Sequence, residues 1–340
     1  MFRAFEGKLF TRVLSPRSSR LFLSFFVLVL AASLFASSKL AVERVSETTY
    51  SKAPPPRNIY IDLGANWAQT LDLYGSLSKL ANAEVHTSSF TVFAFEASPY
   101  IAPFVENVTR HKNKGLPPPT APFPLSGSSK DLSRHNDYSG KPCPSQVDEL
   151  RKCFLRAYEG VLAELKPSTA LNSSKLIHTR LALANSSYTA DKPPGPKYVF
   201  VPAAASVEDS WLTLQQCKLG LLIGGVTSKG RSDDFSRLGD TCFPPSTVHT
   251  IDFPGWVKRS FVQTDLIILK MDVEGAEHDI IKSLILNGAH ELIDILAWEC
   301  HPKGGNCDYA RKLLKDFTNI KVFEEGRDYE GWLSEKNTAS

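Results

Sequence analysis

The sequence predicts an α/β protein with a mostly parallel sheet and helices on both faces of that sheet. Three observations support this fold class: apolar runs of strand length, helical spacing behind them, and acids or glycines where the runs end. The segment LKMDVEGAEHDIIKSLI, at 269–285, contains all three features. Continuous apolar runs, as opposed to alternating ones, are typical of strands that are buried on both faces.

The first half of the predicted sheet begins at residue 58. The runs NIYIDLG and FTVFAFE, at 58–64 and 90–96, predict two buried strands. Ser98 and Pro99 predict the N-cap and the first residue of the helix after the second strand. Between the two strands, leucines at helical spacing predict another helix: Leu73, Leu77 and Leu80.

Residues 112–196 are predicted to form a surface insertion in this pattern. The stretch 112–144 is rich in proline and serine, which disfavour regular structure. One amphipathic helix is predicted to begin after Ser145. Residues 166–196 are predicted to be loop, and the apolar content of the insertion is too low for a core of its own.

From residue 197 onward, strands and helices are again predicted to alternate. The predicted strands are KYVFVPAAA (197–205), STVHTID (246–252), LIILKMD (266–272), DILAWEC (294–300) and IKVFEE (320–325). The predicted helices are 274–286 and 308–317. Asn287-Gly288 is a typical end for the first of these helices.

The N-terminus carries a separate signal. The net charge of the 340 residues is +3, of which +4 lies in 1–20. The uncharged segment 21–38 is just long enough to cross a bilayer, so it predicts a signal anchor behind a cytoplasmic tail. A stem, 39–57, and a luminal domain, 58–340, follow. A cleaved signal peptide, leading to secretion, or an organelle transit peptide remain alternatives, because 36–38 resembles a cleavage site.

Other features of the sequence also fit the secretory pathway, and they predict a single-pass type II protein of the Golgi or endoplasmic reticulum. Three sequons are present, at Asn107, Asn172 and Asn185. All six cysteines follow the apolar segment, which suggests disulfides in an oxidising compartment, with free buried thiols as the alternative. Spacing favours the pairs Cys143–Cys153, Cys217–Cys242 and Cys300–Cys307. No CxxC is present, so no metal site is predicted.

Polar residues follow several of the predicted strands, where α/β proteins bind ligands. Gly64 allows close approach of the backbone, and a helix is expected to start after it. Glu96 ends the second strand, where it can accept hydrogen bonds from two ribose hydroxyls. A single glycine in the 64–68 loop leaves too little room for a pyrophosphate, so the sequence favours S-adenosylmethionine over a dinucleotide. The near-neutral body also argues against nucleic-acid binding.

Five motifs follow one another along the chain: YIDLGANWA, VFAFEASPY, VPAAAS, LKMDVEGAEHDIIKSLILNGA and AWECH. In this order they resemble the motifs of the FkbM-type methyltransferases. The resemblance covers about 58–302 and implies a Rossmann-like methyltransferase fold with S-adenosyl-L-methionine as donor. It also implies O-methylation of a hydroxyl, often on a sugar or polyketide. Ala68 departs from the family, which usually has glycine there. The donor-binding residues expected from these motifs are Asp62, Gly64, Ala65, Asn66, Glu96 and Ala203.

Three residues are candidates for catalysis: Asp272, Glu299 and His301. Asp272 ends the strand predicted to lie next to the first, so its carboxylate can attract the sulfonium, orient the acceptor hydroxyl or take its proton. His301 is the other candidate base, because a neutral imidazole accepts a proton near pH 7. Glu274 and Glu277 are placed at a helix start, where the helix dipole alone could explain them.

Two other functions remain open on the sequence. An anchor, stem and luminal α/β domain also suit a Golgi glycosyltransferase, with Asp272 and Glu274 holding a metal and a nucleotide sugar. A catalytically inactive binding protein could keep the same fold. The acceptor is expected to be a glycan or another small molecule of the secretory pathway. No oligomeric state is predicted.

Overall fold

The structure of the chain, a computed structural model, describes residues 55–85, 89–121, 152–185, 195–217, 242–302 and 305–325, with gaps at 154, 157, 169, 170 and 172. The predicted cytoplasmic tail, membrane anchor and most of the stem lie outside these residues, as does the greater part of the Pro/Ser-rich stretch. In the part of the chain that is described, no helix has both the length and the hydropathy needed to cross a bilayer.

The described residues contain nine strands in two sheets. In chain order they are β1 (Asn58–Leu63), β2 (Phe90–Phe95), β3 (Lys197–Val201), β4 (Ala204–Ser206), β5 (Ser210–Leu214), β6 (Ser246–Asp252), β7 (Leu266–Met271), β8 (Ile295–Trp298) and β9 (Lys321–Glu324). The central sheet has the order β3-β2-β1-β7-β8-β9, and every neighbouring pair in it is parallel. The predicted α/β fold with a mostly parallel sheet is therefore confirmed, and its strand order is Rossmann-like.

The direction in which strands are added changes between β1 and β7. From β1 the chain builds outward through β2 to β3, whereas β7 starts a second outward series through β8 to β9. Ligands of open parallel sheets bind beyond the carboxyl ends of the strands at such a switch point. The fold therefore places a candidate site beyond Leu63 and Met271, the last residues of β1 and β7.

Helices cover both faces of the central sheet, as predicted. The described α-helices are α1 (Tyr74–Leu80), α2 (Ala102–Asn113), α3 (Glu159–Glu164), α4 (Ser174–Leu181), α5 (Phe253–Ser260), α6 (Glu277–Asn287) and α7 (Cys307–Phe317). Apolar residues of α1, α2 and α3 pack in one buried cluster with the sheet, and those of α4 to α7 pack in a second. Apolar residues of β1 alternate between the two clusters, which explains why this strand carries apolar side chains on both faces.

Several predicted helix starts are too early. No helix follows Gly64 directly, because turns occupy the chain until α1 begins at Tyr74. Ser98 caps a turn, and its Oγ accepts a hydrogen bond from the Ile101 amide at 3.2 Å, so α2 begins only at Ala102. A turn likewise precedes α6, which starts at Glu277 instead of residue 274.

The predicted insertion contributes to the core, contrary to expectation. Residues 166–196, predicted as loop, contain α4, whose Ile177 and Leu181 are buried in one of the two clusters. Two apolar residues four positions apart, such as Ile177 and Leu181, are enough for a short helix to bury one face, even where the surrounding segment is polar. The predicted helix after Ser145 lies partly outside the described residues, but α3 falls within its span and buries Leu162.

The predicted strand 197–205 is two strands in different sheets. Pro202 separates β3 from β4, because proline has no amide hydrogen to continue the ladder. The smaller sheet has the order β4-β6-β5, with β4 parallel and β5 antiparallel to β6. Strand β5 was not predicted, although its exposed and buried residues alternate in part as expected for an edge strand.

The folded body begins before residue 58. Arg57, the last residue of the predicted stem, donates from Nε to Asp265 Oδ1 at 2.9 Å. Asp265 precedes β7 and its side chain is 1% exposed. This contact joins the beginnings of β1 and β7, so Arg57 is part of the domain.

Two of the predicted disulfides are confirmed. Cys217 is bonded to Cys242, and Cys300 is bonded to Cys307. Cys153 is also in a disulfide, whereas Cys143 lies outside the described residues. The second bond closes the loop directly after β8, next to the switch point.

Candidate active site

A cavity of about 380 Å³ opens at the carboxyl ends of β1, β2 and β7. Its volume lies within the range of small-molecule sites. The predicted site residues that line it are Gly64, Asn66, Glu96, Ala203 and Asp272. A larger groove, of about 1140 Å³, lies at the opposite edge of the sheet, around the beginnings of β7 and β8, and contains no predicted site residue.

Glu96 is buried in the wall of this cavity and holds two loops together. Its Oε2 accepts a hydrogen bond from the Asn66 amide at 2.9 Å, and its Oε1 accepts one from the Ser98 amide at 2.7 Å. Burial raises the pKa of Glu96 to about 7, and these two hydrogen bonds oppose the rise. Each carboxylate oxygen has a second lone pair, so the group can still accept bonds from a ligand.

Gly64 has a structural role beyond the one predicted for it. Its φ is 78°, in the left-handed region that favours glycine. A Cβ at this position would lie 1.9 Å from the carbonyl oxygen of Asp272. Gly64 therefore allows the loop after β1 to approach the end of β7, and a larger residue there would separate the two loops as well as narrow the cavity.

Asp62 and Ala65, which were also predicted to bind the donor, do not line the cavity. Asp62 is fully buried, where it accepts a hydrogen bond from Thr70 Oγ at 2.5 Å and pairs with Lys270 at 3.2 Å. Ala65 is also buried, and its amide donates to the Phe95 carbonyl at 2.9 Å. Both residues hold the loop behind the cavity wall.

Lys270 is the main residue of this region that the sequence analysis did not predict as part of the site. Its Nζ is buried and donates to the Gly64 carbonyl at 2.7 Å, and it lies 3.7 Å from Asp272 Oδ2. Burial lowers the pKa of Lys270, but the Asp62 and Asp272 carboxylates outweigh burial and raise it. The sequence does contain a signal for this residue, because Lys270 is the only charged residue in the apolar run LIILKM. A buried cation requires a partner of opposite charge.

His301 is surrounded by carboxylates. Its Nε2 lies 4.0 Å from Asp272 and 3.7 Å from Glu274. The same nitrogen lies 3.6 Å from Glu299, and Nδ1 is 2.9 Å from Glu277. All three predicted catalytic residues are therefore brought together at the ends of β7 and β8.

This environment changes the protonation of His301. Burial lowers the pKa of His301, but its hydrogen bond to Glu277 and the other carboxylates outweigh burial and raise it to about 9. An imidazolium has no free lone pair, so at neutral pH His301 does not suit the role of general base. Asp272, with a side chain 21% exposed, lies on the cavity wall and stays the candidate for that role.

Glu277 organises the turn between β7 and α6. Its side chain is fully buried and accepts hydrogen bonds from the Val273 amide at 2.9 Å and the Gly275 amide at 2.7 Å. It also fixes the orientation of His301. These contacts favour a structural role for Glu277 as well as the dipole effect expected at a helix start.

Asp272, Glu277 and His301 could also hold a cation, since their ligand atoms lie within 4.8 Å of one another. In the described structure, however, Glu277 is engaged by two amides and the imidazole. A protonated His301 already compensates part of the negative charge. The cluster can therefore be stable as an ion-pair network without a metal.

The far wall of the cavity comes from the smaller sheet. Trp211 on β5 and Gln216 just after it line the cavity, and neither is among the predicted site residues. Gln216 was not signalled by any motif, because its position depends on the pairing of β5 with β6.

The fold and the cavity define an α/β protein of Rossmann-like type with a candidate ligand site at its topological switch point. The chain matches no protein-family model, and neither a curated protein nor a solved structure shows significant similarity to it.

Proposed function

We propose that the chain is an S-adenosylmethionine-dependent O-methyltransferase of the FkbM type, with a Rossmann-like methyltransferase fold. One observation carries this proposal: a buried carboxylate, Glu96, and a partly exposed one, Asp272, line the same cavity at the switch point. The first can hold a ribose and the second can act on an acceptor hydroxyl. The motif order along the sequence is the second support.

The cavity wall fits a nucleoside donor that lacks a pyrophosphate. Glu96 would accept hydrogen bonds from ribose hydroxyls through its remaining lone pairs. Asn66 Oδ1 is buried without a hydrogen-bond partner among the described residues, so it can accept a bond from the amino group of the donor. Gly64 keeps the intervening loop close to β7.

Asp272 would carry the proton transfer. The donor supplies an electrophilic methyl group, which forms a bond to the acceptor oxygen as its bond to sulfur breaks. The Asp272 carboxylate would orient the acceptor hydroxyl and take its proton, which typically contributes about 10²–10⁴-fold to the rate. Lys270, 3.7 Å away, and the Cys300–Cys307 disulfide would hold the surrounding loops in place.

The acceptor is proposed to be a hydroxyl of a glycan or a related molecule of the secretory pathway. Two described disulfides support an oxidising compartment, which agrees with the proposed luminal location behind a membrane anchor at 21–38. The proposal of a glycan rests on this location more than on the shape of the cavity.

Two assays test the function with the full-length purified chain. Calorimetry should detect metal-independent binding of S-adenosylhomocysteine, and labelled S-adenosylmethionine should transfer its methyl group to a member of a glycan panel. Binding without transfer to any acceptor would favour an inactive binding protein.

A glycosyltransferase is the second candidate, and the cation geometry of Asp272, Glu277 and His301 is the observation in its favour. It predicts manganese-dependent binding of a UDP-sugar and no binding of S-adenosylhomocysteine. That result would replace the methyltransferase proposal.

A further inference from the structure

Gln216 carries an unused hydrogen-bond donor beside the cavity. The residue is 2% exposed and lies in the cavity wall. Its Oε1 accepts a hydrogen bond from Ser98 Oγ, but its buried Nε2 has no hydrogen-bond partner among the described residues. A buried amide donor without a partner is unfavourable, so a ligand that accepts a hydrogen bond from it would recover this cost.

The orientation of the Gln216 amide follows from its neighbours. Ser98 Oγ accepts hydrogen bonds from the Tyr100 amide at 3.3 Å and the Ile101 amide at 3.2 Å. The hydroxyl hydrogen of Ser98 is therefore free to be donated, and the oxygen of Gln216 is the acceptor beside it. This leaves the NH₂ group of Gln216 as the part of the amide without a partner.

The backbone around Gln216 is also held in place. Its carbonyl accepts a hydrogen bond from the Phe243 amide at 2.8 Å, and the Phe243 ring lies 4.3 Å from that of Tyr100. The next residue, Cys217, is bonded to Cys242. A donor group fixed in this way needs little ordering when a ligand binds.

Gln216 and Glu96 are connected through a single residue. The Ser98 amide donates to Glu96 Oε1 at 2.7 Å, while the Ser98 hydroxyl donates to Gln216. The carboxylate proposed to hold a ribose and the unused amide donor thus share one support. A nucleoside has its base attached directly to the ribose, so both groups can contact the same ligand.

We propose that Gln216 recognises the purine base of the donor, by donating a hydrogen bond from Nε2 to one of its ring nitrogens. This inference rests on the proposed function, since it takes the ligand of Glu96 to be an adenosine derivative. Gln216 is then a specificity-determining residue. A site that buries such a donor rejects a base lacking the matching acceptor, because the donor is left unpaired.

Analogues of the donor product provide the test. Adenine has three ring nitrogens that can accept, and 1-deaza, 3-deaza and 7-deaza S-adenosylhomocysteine each replace one of them with C–H. Calorimetry with the full-length wild-type chain should show one analogue binding about 5- to 20-fold more weakly than the parent compound. In Gln216→Met the parent should bind more weakly by a similar factor, and the preference over that analogue should disappear.

Two further variants separate recognition from folding. Gln216→Glu keeps an oxygen for the Ser98 hydroxyl but replaces the N–H donor, so it should also lose the preference. Gln263→Met is the matched control, because Gln263 is exposed and its Nε2 donates to the Glu291 carbonyl at 2.8 Å, far from the cavity. It should retain the wild-type preference, and thermal unfolding should show that all three variants are folded.

The outcomes distinguish this inference from the proposed function. Equal binding of all four compounds by the wild type, or a preference that survives in both Gln216 variants, would overturn the role of Gln216 and leave the methyltransferase proposal intact. Failure of the wild type to bind S-adenosylhomocysteine would overturn the proposed function, and the role of Gln216 with it.

Discussion

The Lys270 ammonium lies 3.2 Å from the Asp62 carboxylate, and the two side chains are 1% and 0% exposed. The residues are direct partners in the register of the adjacent strands β1 and β7. Nζ also donates to the Gly64 carbonyl, so the pair connects the centre of the sheet to the loop that lines the cavity. Burial raises the pKa of Asp62, and the Lys270 cation opposes that rise.

Removing either member of this pair should destabilise the fold. Lys270→Met leaves Asp62 buried without its cation, and the expected loss in the free energy of unfolding is about 3–5 kcal/mol. The double variant Lys270→Met/Asp62→Leu should lose clearly less than the sum of the single variants. Urea unfolding measures all three, with Lys282→Met on the exposed face of α6 as a control that should stay within about 0.5 kcal/mol of wild type. Additive losses would show that the two side chains are not coupled.

Glu96 should make the stability of the domain depend on pH. Burial raises the pKa of Glu96 from 4.5 to about 7, so the folded state binds more protons than the unfolded state between these values. Stability therefore falls as pH rises from about 4 to about 7 and then levels off, by roughly 3 kcal/mol in total.

Comparison with Glu96→Gln isolates this contribution from other groups that titrate in the same range. The variant lacks the titrating carboxyl, so its stability should decrease less than that of wild type between pH 5 and pH 8. S-adenosylhomocysteine should also bind wild type more tightly at pH 8 than at pH 6, because the ionised carboxylate is the better acceptor for ribose hydroxyls. Parallel pH profiles of stability for the two proteins would contradict the raised pKa of Glu96.

Asp272→Asn should affect turnover far more than donor affinity, because the proposed role of Asp272 is at the transferring methyl group. We expect a decrease of about 10²–10⁴-fold in turnover and a change in S-adenosylhomocysteine affinity of less than about 3-fold. Asp279→Asn, the same change at an exposed position of α6, is the matched control and should retain wild-type turnover. Wild-type turnover in a folded Asp272→Asn variant would move the base to Glu299.

His301 should titrate well above an ordinary histidine. Its pKa is raised to about 9 by Glu277 and the other carboxylates, which outweigh burial. The stabilisation from this imidazolium is complete below pH about 6.5 and is lost as pH rises to about 9, with an expected size of about 2 kcal/mol because solvent screens part of it. NMR titration of the imidazole signals, assigned with His301→Gln, measures the pKa directly. A midpoint near 6.5 would restore His301 as a candidate base.

Strands β1, β2, β7 and β8 could be predicted because they are buried on both faces and therefore largely apolar. Their parallel order follows from the alternation with helices, and it explains why the predictions for Glu96 and Asp272 agree with the cavity. Helix α4 lacks such a pattern, because only Ile177 and Leu181 mark its buried face.

The part of the site that was not predictable depends on contacts between distant segments. Lys270 lies 208 residues from Asp62 in the chain. The two side chains can be recognised as partners only once β1 and β7 are known to be adjacent. The raised pKa of His301 likewise depends on carboxylates from two strand ends and one helix. Gln216 reaches the cavity through a small sheet whose edge strand is short and half exposed. Local periodicity carries no information about any of these three arrangements.

Ala68 provides a test of local strain in the loop after β1. Its φ is 63°, in the left-handed region, where a Cβ typically costs about 1–2 kcal/mol. Glycine at this position would relieve that strain but raise the entropy of the unfolded chain by an equivalent of about 0.4–1 kcal/mol. Ala68→Gly should therefore stabilise the domain by about 0.5–1 kcal/mol. Ala163→Gly, on the exposed side of helix α3, should instead lose about 0.5–1 kcal/mol. Urea midpoints that move in opposite directions support the strained conformation of Ala68, whereas a loss in both variants would show that the Ala68 methyl group stabilises the loop more than its backbone strains it.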